Sequence, residues 1–376
     1  LNHDLMVRMV CCMLVKLDSV TWFQEGPGVR NYQYTDSGTK LINVTNLGKK
    51  FLELDKTSRF ISNEEANSKY KHFLCDNGDL VIASSGINEE SLIKKVSFVR
   101  SEDLPLCMNT SVIRFKVIDK NKLNINYLYY FFKSDSYRNQ IMKLMTGIAQ
   151  LNFGPSHLRK INLKLLDIKK QNECVNILDE IANLINLCEN QLIFFDELIK
   201  SRFIEMFHEK EFPICSIRNV VDTTKISAKK IYKSDDEIKY IDISSIDNKT
   251  NSIVGHVTYK FKDAPSRAQQ CLKTNDILVS TVRPNLRNVA LFDEVGNGFV
   301  GSSGFCVLRP LKCDPQYLRY IVLSDKFTEE MTQLTNGANY PAIRENSVFD
   351  YLFISPPLHL QNEFADFVKQ IDKSKF

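Results

Sequence analysis

The sequence predicts an α/β (α+β) protein built as a tandem repeat, with two globular domains separated by long antiparallel coiled-coil helices and related by a pseudo-two-fold. Three observations carry this expectation. The chain has 376 residues, 43% hydrophobic and 25% charged, the length of two or three domains of ordinary globular composition. It matches itself in an ordered series at offsets of 190 to 200 residues, and it contains a stretch of 37 residues, Gln171 to Phe207, without a Gly or Pro.

Residues 1–12 precede the repeat and have no counterpart in it. The longest apolar run, Met9 to Val15 after Arg8, has seven residues, where a bilayer span needs about 20. No small-residue cleavage site follows it, so neither a membrane span nor secretion is expected. The ten cysteines form no C-x-x-C pair and read as reduced core residues of a cytoplasmic protein. On that reading the sequons at Asn43, Asn109 and Asn248 have no role. A net charge of +4 names no partner by itself.

The first globular part is expected over residues 13–147 and the second over 211–337. Val15 to Val20 matches Cys215 to Val220 at an offset of 200, both alternating runs that suit a half-buried strand. Lys40 to Leu47 matches Lys239 to Ile246 at 199, and Asp79 to Ser84 matches Asp276 to Thr281 at 197. Downstream the offset settles at 190: Tyr127-Leu128-Tyr129-Tyr130 with Tyr317-Leu318-Arg319-Tyr320, Ser134-Asp135 with Ser324-Asp325, Gly147 with Gly337, and Gln171-Asn172-Glu173 with Gln361-Asn362-Glu363. Order is kept throughout and length changes fall in polar stretches, which is how loops behave. Each part reads as short strands between Gly, Asn, Asp and Ser clusters, with one helix near its end, about Ile125 to Leu144 and Gln316 to Leu334.

Residues 148–210 and 338–376 form the helical regions. In the first, Cys174, Leu178, Ile181, Ile185, Cys188, Leu192, Phe195 and Ile199 follow a 4,3 spacing, a heptad seam on a helix expected over 171–207. At about 1.5 Å per residue that helix is roughly 55 Å long. Its expected partner starts at Gln361 after Pro356-Pro357 and has 16 residues to Phe376. An antiparallel pairing places the two globular parts at opposite ends of a dumbbell. The seam from about Cys188 to Phe207 is left for another chain or a second copy, so isolated copies are expected to be able to dimerise.

Two similar but unequal domains on a stiff rod suit duplex DNA, which presents unequal sites at fixed spacing. Between Gly255 and Phe292 six basic residues (Lys260, Lys262, Arg267, Lys273, Arg283, Arg287) face two acidic ones, with Tyr259 and Phe261 between them. Arg283, Asn285 and Arg287 lie in a loop after a strand and have the chemistry to read base edges, Arg on guanine and Asn on adenine. The aligned loop of the first unit runs Ser84 to Glu90, with Lys94 and Lys95 beyond it. Lys225, Lys229, Lys230 and Lys233 form a second basic cluster suited to phosphate.

At this point the residues resemble a known family, the specificity subunits of type I restriction-modification enzymes. The most specific marker is Asn336-Gly337-Ala338 followed by Ile354-Ser355-Pro356-Pro357-Leu358-His359-Leu360-Gln361. Gly147, Asn152 and Gln171 repeat it in the first unit, where Leu166-Asp167-Ile168 departs from the proline pair. Phe195 to Phe207, with Leu198, Ser201, Arg202 and Phe203, resembles the end of the family's central conserved region, and Gln24-Glu25-Gly26-Pro27-Gly28-Val29-Arg30 resembles the opening of a target recognition domain. The resemblance implies two recognition domains, each reading one half of an asymmetric interrupted site in double-stranded DNA. It implies helices that set the spacing and dock methyltransferase subunits, with restriction-translocase subunits joining indirectly. S-adenosylmethionine is then bound by the methyltransferase and this chain holds no cofactor or metal.

The residues agree that the chain is not an enzyme. They contain no Asp/Asn-Pro-Pro-aromatic motif, no P-loop and no Ser/His/Asp order among six histidines. Gly296-Asn297-Gly298-Phe299-Val300-Gly301 fits G-x-G-x-x-G, but a strand pattern follows where a dinucleotide site needs a helix, so it reads as a glycine hairpin turn. The alternatives are the recognition subunit of a different restriction system, with a fused nuclease-methyltransferase, and a protein-only coiled-coil adaptor with vestigial recognition domains.

Overall fold

The computed structural model describes residues 13–56, 58–145, 152–208, 210–335 and 341–375. Segment 1–12, Gly147, Asn336-Gly337-Ala338 and Phe376 lie outside the described residues. The chain divides into two compact units, Leu1–Asn186 and Leu187–Phe376, and the division falls inside one long helix, Ile168–Phe207.

In the first unit a four-stranded antiparallel sheet runs in the order Thr21–Glu25, Val112–Val117, Leu80–Ala83, Val96–Phe98. A three-stranded sheet runs Phe60–Ile61, Thr39–Ile42, Leu106–Met108, its last pair parallel. The second unit repeats both. Its first sheet runs Val221–Asp222, Phe305–Pro310, Asp276–Ser280, Val289–Phe292, and its second runs Val257–Lys260, Glu237–Ile241, Phe299–Ser302, Ala268–Cys271. Each unit adds a small antiparallel pair, Met13–Lys16 with Asn162–Leu165 and Ile214–Ser216 with Leu352–Ile354.

The period of two along the central strands explains why two cores form in each unit. Leu80 and Ile82 pack with Phe115, Leu128 and Phe132 on the helical side, while Val81 packs with Ile42, Leu106 and Met108 of the other sheet. In the second unit Ile277 and Val279 join the helical core, and Leu278 joins Ile241 and Phe299.

Hydrogen bonds repeat as faithfully as strands. Gln171 is fully buried; its Oε1 accepts from Asn124 N at 2.9 Å and its Nε2 donates to the Lys122 and Leu166 carbonyls, both at 2.8 Å. Gln361 accepts from Asp314 N at 3.0 Å and donates to Pro356 O at 2.7 Å. The phenols of Tyr127 and Tyr317 donate to the Lys164 and Ile354 carbonyls at 2.8 and 2.9 Å. Each central strand also starts with a buried carboxylate paired to an arginine: Asp79 with Arg114 at 3.4 Å and Asp276 with Arg309 at 2.7 Å.

Several expectations need correction. The single helix near the end of each globular part is two: Ile125–Phe132 with Asp135–Met142, and Pro315–Leu323 with Asp325–Gln333. Ser134 Oγ donates to Phe131 O and accepts from Tyr137 N, closing one helix and capping the next; Ser324 does the same with Ile321 O and Phe327 N. The runs expected as single strands end at Lys16 and Ser216, where 3-10 turns bury Leu17 and Ile217 completely. Gly296 to Gly298 does not close a hairpin, because the strands on either side, Val289–Phe292 and Phe299–Ser302, belong to different sheets.

The terminal helix, Leu358–Ser374, begins three residues earlier than expected. Its Phe364 and Val368 share a core with Ile199, Met206 and Phe207, and Phe203 packs against it. Arg202 reaches Glu363 at 2.7 Å and Lys375 reaches Asp196 at 3.0 Å, so the pairing is antiparallel. The half of the seam from Asp196 to Phe207 is therefore covered, contrary to the expectation that it is free. The uncovered half is Ile177–Phe194: Ile181, Ile185 and Leu192 are 47%, 54% and 44% exposed, Leu178 and Cys188 are exposed, Phe195 is half-buried and Ile199 is buried. Cys188 departs from the core expectation for the same reason, whereas Cys75, Cys107, Cys271, Cys306 and Cys313 are buried.

Candidate nucleic-acid interface

The frame delivers one loop per unit from the end of the central strand. Ser84 N donates to Ser111 O and Phe153 N to Ser84 O, both at 2.9 Å; in the second unit Thr281 N donates to Gly304 O and Ile343 N to Thr281 O, again both at 2.9 Å. The loops start from equivalent anchors, and two residues on, both turn left-handed, Gly86 at φ 66° and Arg283 at φ 50°. Glycine occupies this region freely, while a residue with a Cβ pays a steric cost there. The first unit solves the turn with glycine and the second retains an arginine.

In the second unit Pro284–Leu286 forms a 3-10 turn between two left-handed arginines, Arg283 and Arg287 (φ 52°). Arg283 N donates to Pro341 O at 2.8 Å, so the strained residue is tied to the frame. Arg283, which precedes this turn, and Asn285, its middle residue, are both exposed. Arg287 is engaged: its Nη2 donates to Asp325 Oδ1 at 2.6 Å, and Lys200 Nζ lies 3.7 Å from the same carboxylate. These cations, the Arg287 hydrogen bond first, hold the Asp325 carboxyl below its ordinary value.

The remaining expected contacts divide. Lys260 is exposed at the end of the edge strand Val257–Lys260, and the exposed Arg267 precedes Ala268–Cys271. Arg267 O accepts from Ser303 N at 2.8 Å, next to the Gly304 carbonyl that anchors Thr281, so Arg267 and the Arg283 loop flank one turn. Lys262 is paired with Asp235 at 2.7 Å and Lys225 with Glu345 at 2.5 Å. Lys229, Lys230 and Lys233 are exposed. In the first unit Lys94 and Arg30 are exposed, but Lys95 Nζ donates to Leu47 O at 2.6 Å and serves the frame. Gly26 lies beside Asn109, where an added Cβ would come within 2.1 Å of the carbonyl oxygen, so the Gln24–Arg30 segment requires glycine there.

Sequence reasoning missed Asn248 and Asn251, which touch the second unit's loop across 38 and 36 residues of chain, and Arg319, which reaches the Asn251 carbonyl across 68. Only their amide and guanidinium chemistry was visible, not their neighbours. Among the described residues no group of His, Cys, Asp and Glu could hold a metal, and no helix is long and apolar enough to cross a membrane.

The comparisons with known proteins agree with this duplicated plan. The family model described as the type I restriction modification DNA specificity domain matches twice, over residues 17–193 and 210–376. The MjaVIII specificity subunit of Methanocaldococcus jannaschii is 26% identical over 176 residues, 46% of this chain and 40% of that protein. The HindI specificity subunit of Haemophilus influenzae is 27% identical over 115 residues, 30% of this chain and 25% of that protein. The matches thus span less than half the length of either relative. The S subunit of a type I restriction-modification system from M. genitalium shares the fold at a TM-score of 0.55 and 14% identity, over 98% of this chain and 91% of that one. The chain belongs to the family of type I restriction modification DNA specificity domains, of which it carries two copies.

Proposed function

We propose that this chain is the non-catalytic specificity subunit of a type I restriction-modification complex. Each unit reads one half of a bipartite, asymmetric site in double-stranded DNA. The observation that carries this reading is a duplicated frame bearing unlike loops: equivalent hydrogen bonds anchor both, yet Gly86 in one stands where Arg283 stands in the other. A frame that is kept while its presented side chains diverge fits two readers of different half-sites. Arg283 and Asn285 address base edges, Arg267 and Lys260 address the backbone beside them, and Arg30 and Lys94 serve the first unit. Arg287, Lys262 and Lys95 each hold an internal partner.

The exposed apolar face at Ile177–Phe194 is the docking surface for methyltransferase subunits, which bind S-adenosylmethionine and methylate adenine; translocase-nuclease subunits join through them. In isolation the same face pairs two copies. The experiment is an adenine-methylation map of the source cell with and without the gene. Loss of methylation at one interrupted, asymmetric motif upon deletion is expected. An unchanged map, together with no methyltransferase recovered in a pull-down, refutes the reading in favour of a protein-only adaptor.

A further inference from the structure

The second unit's loop is gripped from one side by a short hairpin. Asn248 and Asn251 lie between its paired strands, Ile246–Asp247 and Ser252–Ile253. Asn248 Nδ2 donates to Leu286 O at 3.2 Å, and Asn251 Nδ2 donates to Arg287 O at 2.9 Å. Two side-chain amides of one hairpin thus bind two consecutive carbonyls of the loop that follows Arg283. Asn251 is itself left-handed, at φ 51°. That carbonyl accepts from Arg319 Nη2 at 3.1 Å.

Arg319 projects from the core helix Pro315–Leu323. Its Nε is buried and makes no hydrogen bond among the described residues. Burial pushes its pKa down, against the attraction of Asp372 and Asp293. A guanidinium with a buried Nε is costly to keep, and here its Nη2 bonds to the hairpin that holds the loop. The first unit has Tyr129 at the matching position, 190 residues earlier, and there the ring packs on Phe98 at 5.3 Å between centroids. The arginine is thus particular to the unit whose loop carries Arg283 and Asn285.

We propose that Arg319 and Asn251 are positioning residues for base recognition: a brace running from the core helix, through the left-handed Asn251 turn, to the Leu286–Arg287 carbonyls fixes where Arg283 and Asn285 point. This inference rests on the reading that the second unit recognises DNA bases. The brace acts through the loop, so its loss blurs base preference while leaving non-specific attraction to phosphate in place.

The test uses the full chain and four variants, Arg319→Lys, Arg319→Met, Asn251→Ala and Asn251→Gly. Asn251→Gly keeps the left-handed turn and the carbonyl that Arg319 binds while removing the side-chain amide, with the added backbone entropy of glycine. Hydrogen exchange is followed in the peptide spanning residues 281–292, and base preference is read by selection from a duplex library randomised over the recognition window. Loss of one brace hydrogen bond is expected to speed exchange in that peptide by about fivefold. It should also lower sequence preference in one half of the selected site, with the other half and the salt dependence unchanged. Unchanged exchange in Asn251→Gly and Arg319→Lys, the variants expected to fold, overturns the brace whatever DNA does. Faster exchange with an intact preference profile in both halves overturns the positioning role. A wild-type chain that enriches no sequence refutes the DNA reading and base positioning with it, while exchange still decides the brace.

Discussion

Arg283 offers a test in which stability and binding move in opposite directions. A left-handed residue with a Cβ costs about 1–2 kcal/mol relative to its relaxed backbone, and Arg283 sits at φ 50° where its counterpart is Gly86 at φ 66°. Replacement by glycine removes that strain but adds about 0.5–1 kcal/mol of backbone entropy to be lost on folding. Arg283→Ala removes the same side chain and keeps the strain, so the two variants isolate the backbone. Arg283→Gly should exceed Arg283→Ala by roughly 0.5–1 kcal/mol, a difference of about 1–4 °C in melting temperature for a unit of this size. Both variants should lose about 1–3 kcal/mol of discrimination at one base pair, or about 5- to 150-fold in Kd for the matched site. The assays are thermal unfolding and titration of the selected duplex at fixed salt. Equal melting of the two variants refutes the strain argument. An equal loss of affinity on every duplex, with a salt slope reduced by about one, makes Arg283 a phosphate contact. Unchanged binding removes it from the interface.

Other expectations follow from the same geometry. Gln361→Ala should cost about 1–3 kcal/mol, because Asp314 N–H and the Pro356 carbonyl lose their buried partner; denaturant unfolding measures it, and a neutral result removes the glutamine from the frame. Arg309→Met leaves the fully buried Asp276 unpaired and should cost about 3–5 kcal/mol, most of it recovered when Asp276 is also made apolar. Asp325 has its pKa lowered in the folded state, so its link to Arg287 is intact above the ordinary value of 3.8 and is lost as pH falls through the depressed folded value. Wild type should therefore melt above Asp325→Asn at neutral pH, and the gap should close below about pH 4; a gap independent of pH refutes the assignment. Among the described cysteines, thiol labelling at pH 8 should reach Cys188 first, since it is exposed while burial pushes Cys107 and Cys313 up to about 12, and adding methyltransferase should protect Cys188 if the exposed helix face is the docking surface.

The repeat was legible because its anchors are chemically explicit. Asp79 with Asp276, Gln171 with Gln361 and Tyr127 with Tyr317 all align by sequence, and each pair makes the same bond in both units. Ser134 and Ser324 were also aligned, but their meaning as breaks between helices lies in hydroxyl geometry that apolar periodicity does not carry. The seam's 4,3 spacing over Cys174 to Ile199 could be read from the sequence, whereas which half is covered depends on where the terminal helix lands. The loop's supports were invisible for a different reason. Arg319, Asn251 and Arg287 are brought together by the fold across dozens of residues, and composition gives an asparagine no direction.

The pattern of what is kept and what has drifted argues for a division of labour inside each unit. Residues that bond the long helices to the sheets are retained in both copies, whether or not prolines flank them: Gln171 binds the Leu166 carbonyl as Gln361 binds that of Pro356. The copies part at the loop and at its support, Gly86 against Arg283 at the turn and Tyr129 against Arg319 on the core helix, where Arg319 binds the hairpin that holds the loop. Drift without use would be expected to relax strain rather than create it, since glycine is the less costly residue in a left-handed turn. The second unit does the reverse, holding arginines at Arg283 and Arg287 and an asparagine at Asn251 with positive φ. Strain of this kind persists where the surrounding structure over-determines it and the side chain is needed. The loop and its hairpin are therefore the part of the second unit on which a change of DNA sequence preference should concentrate.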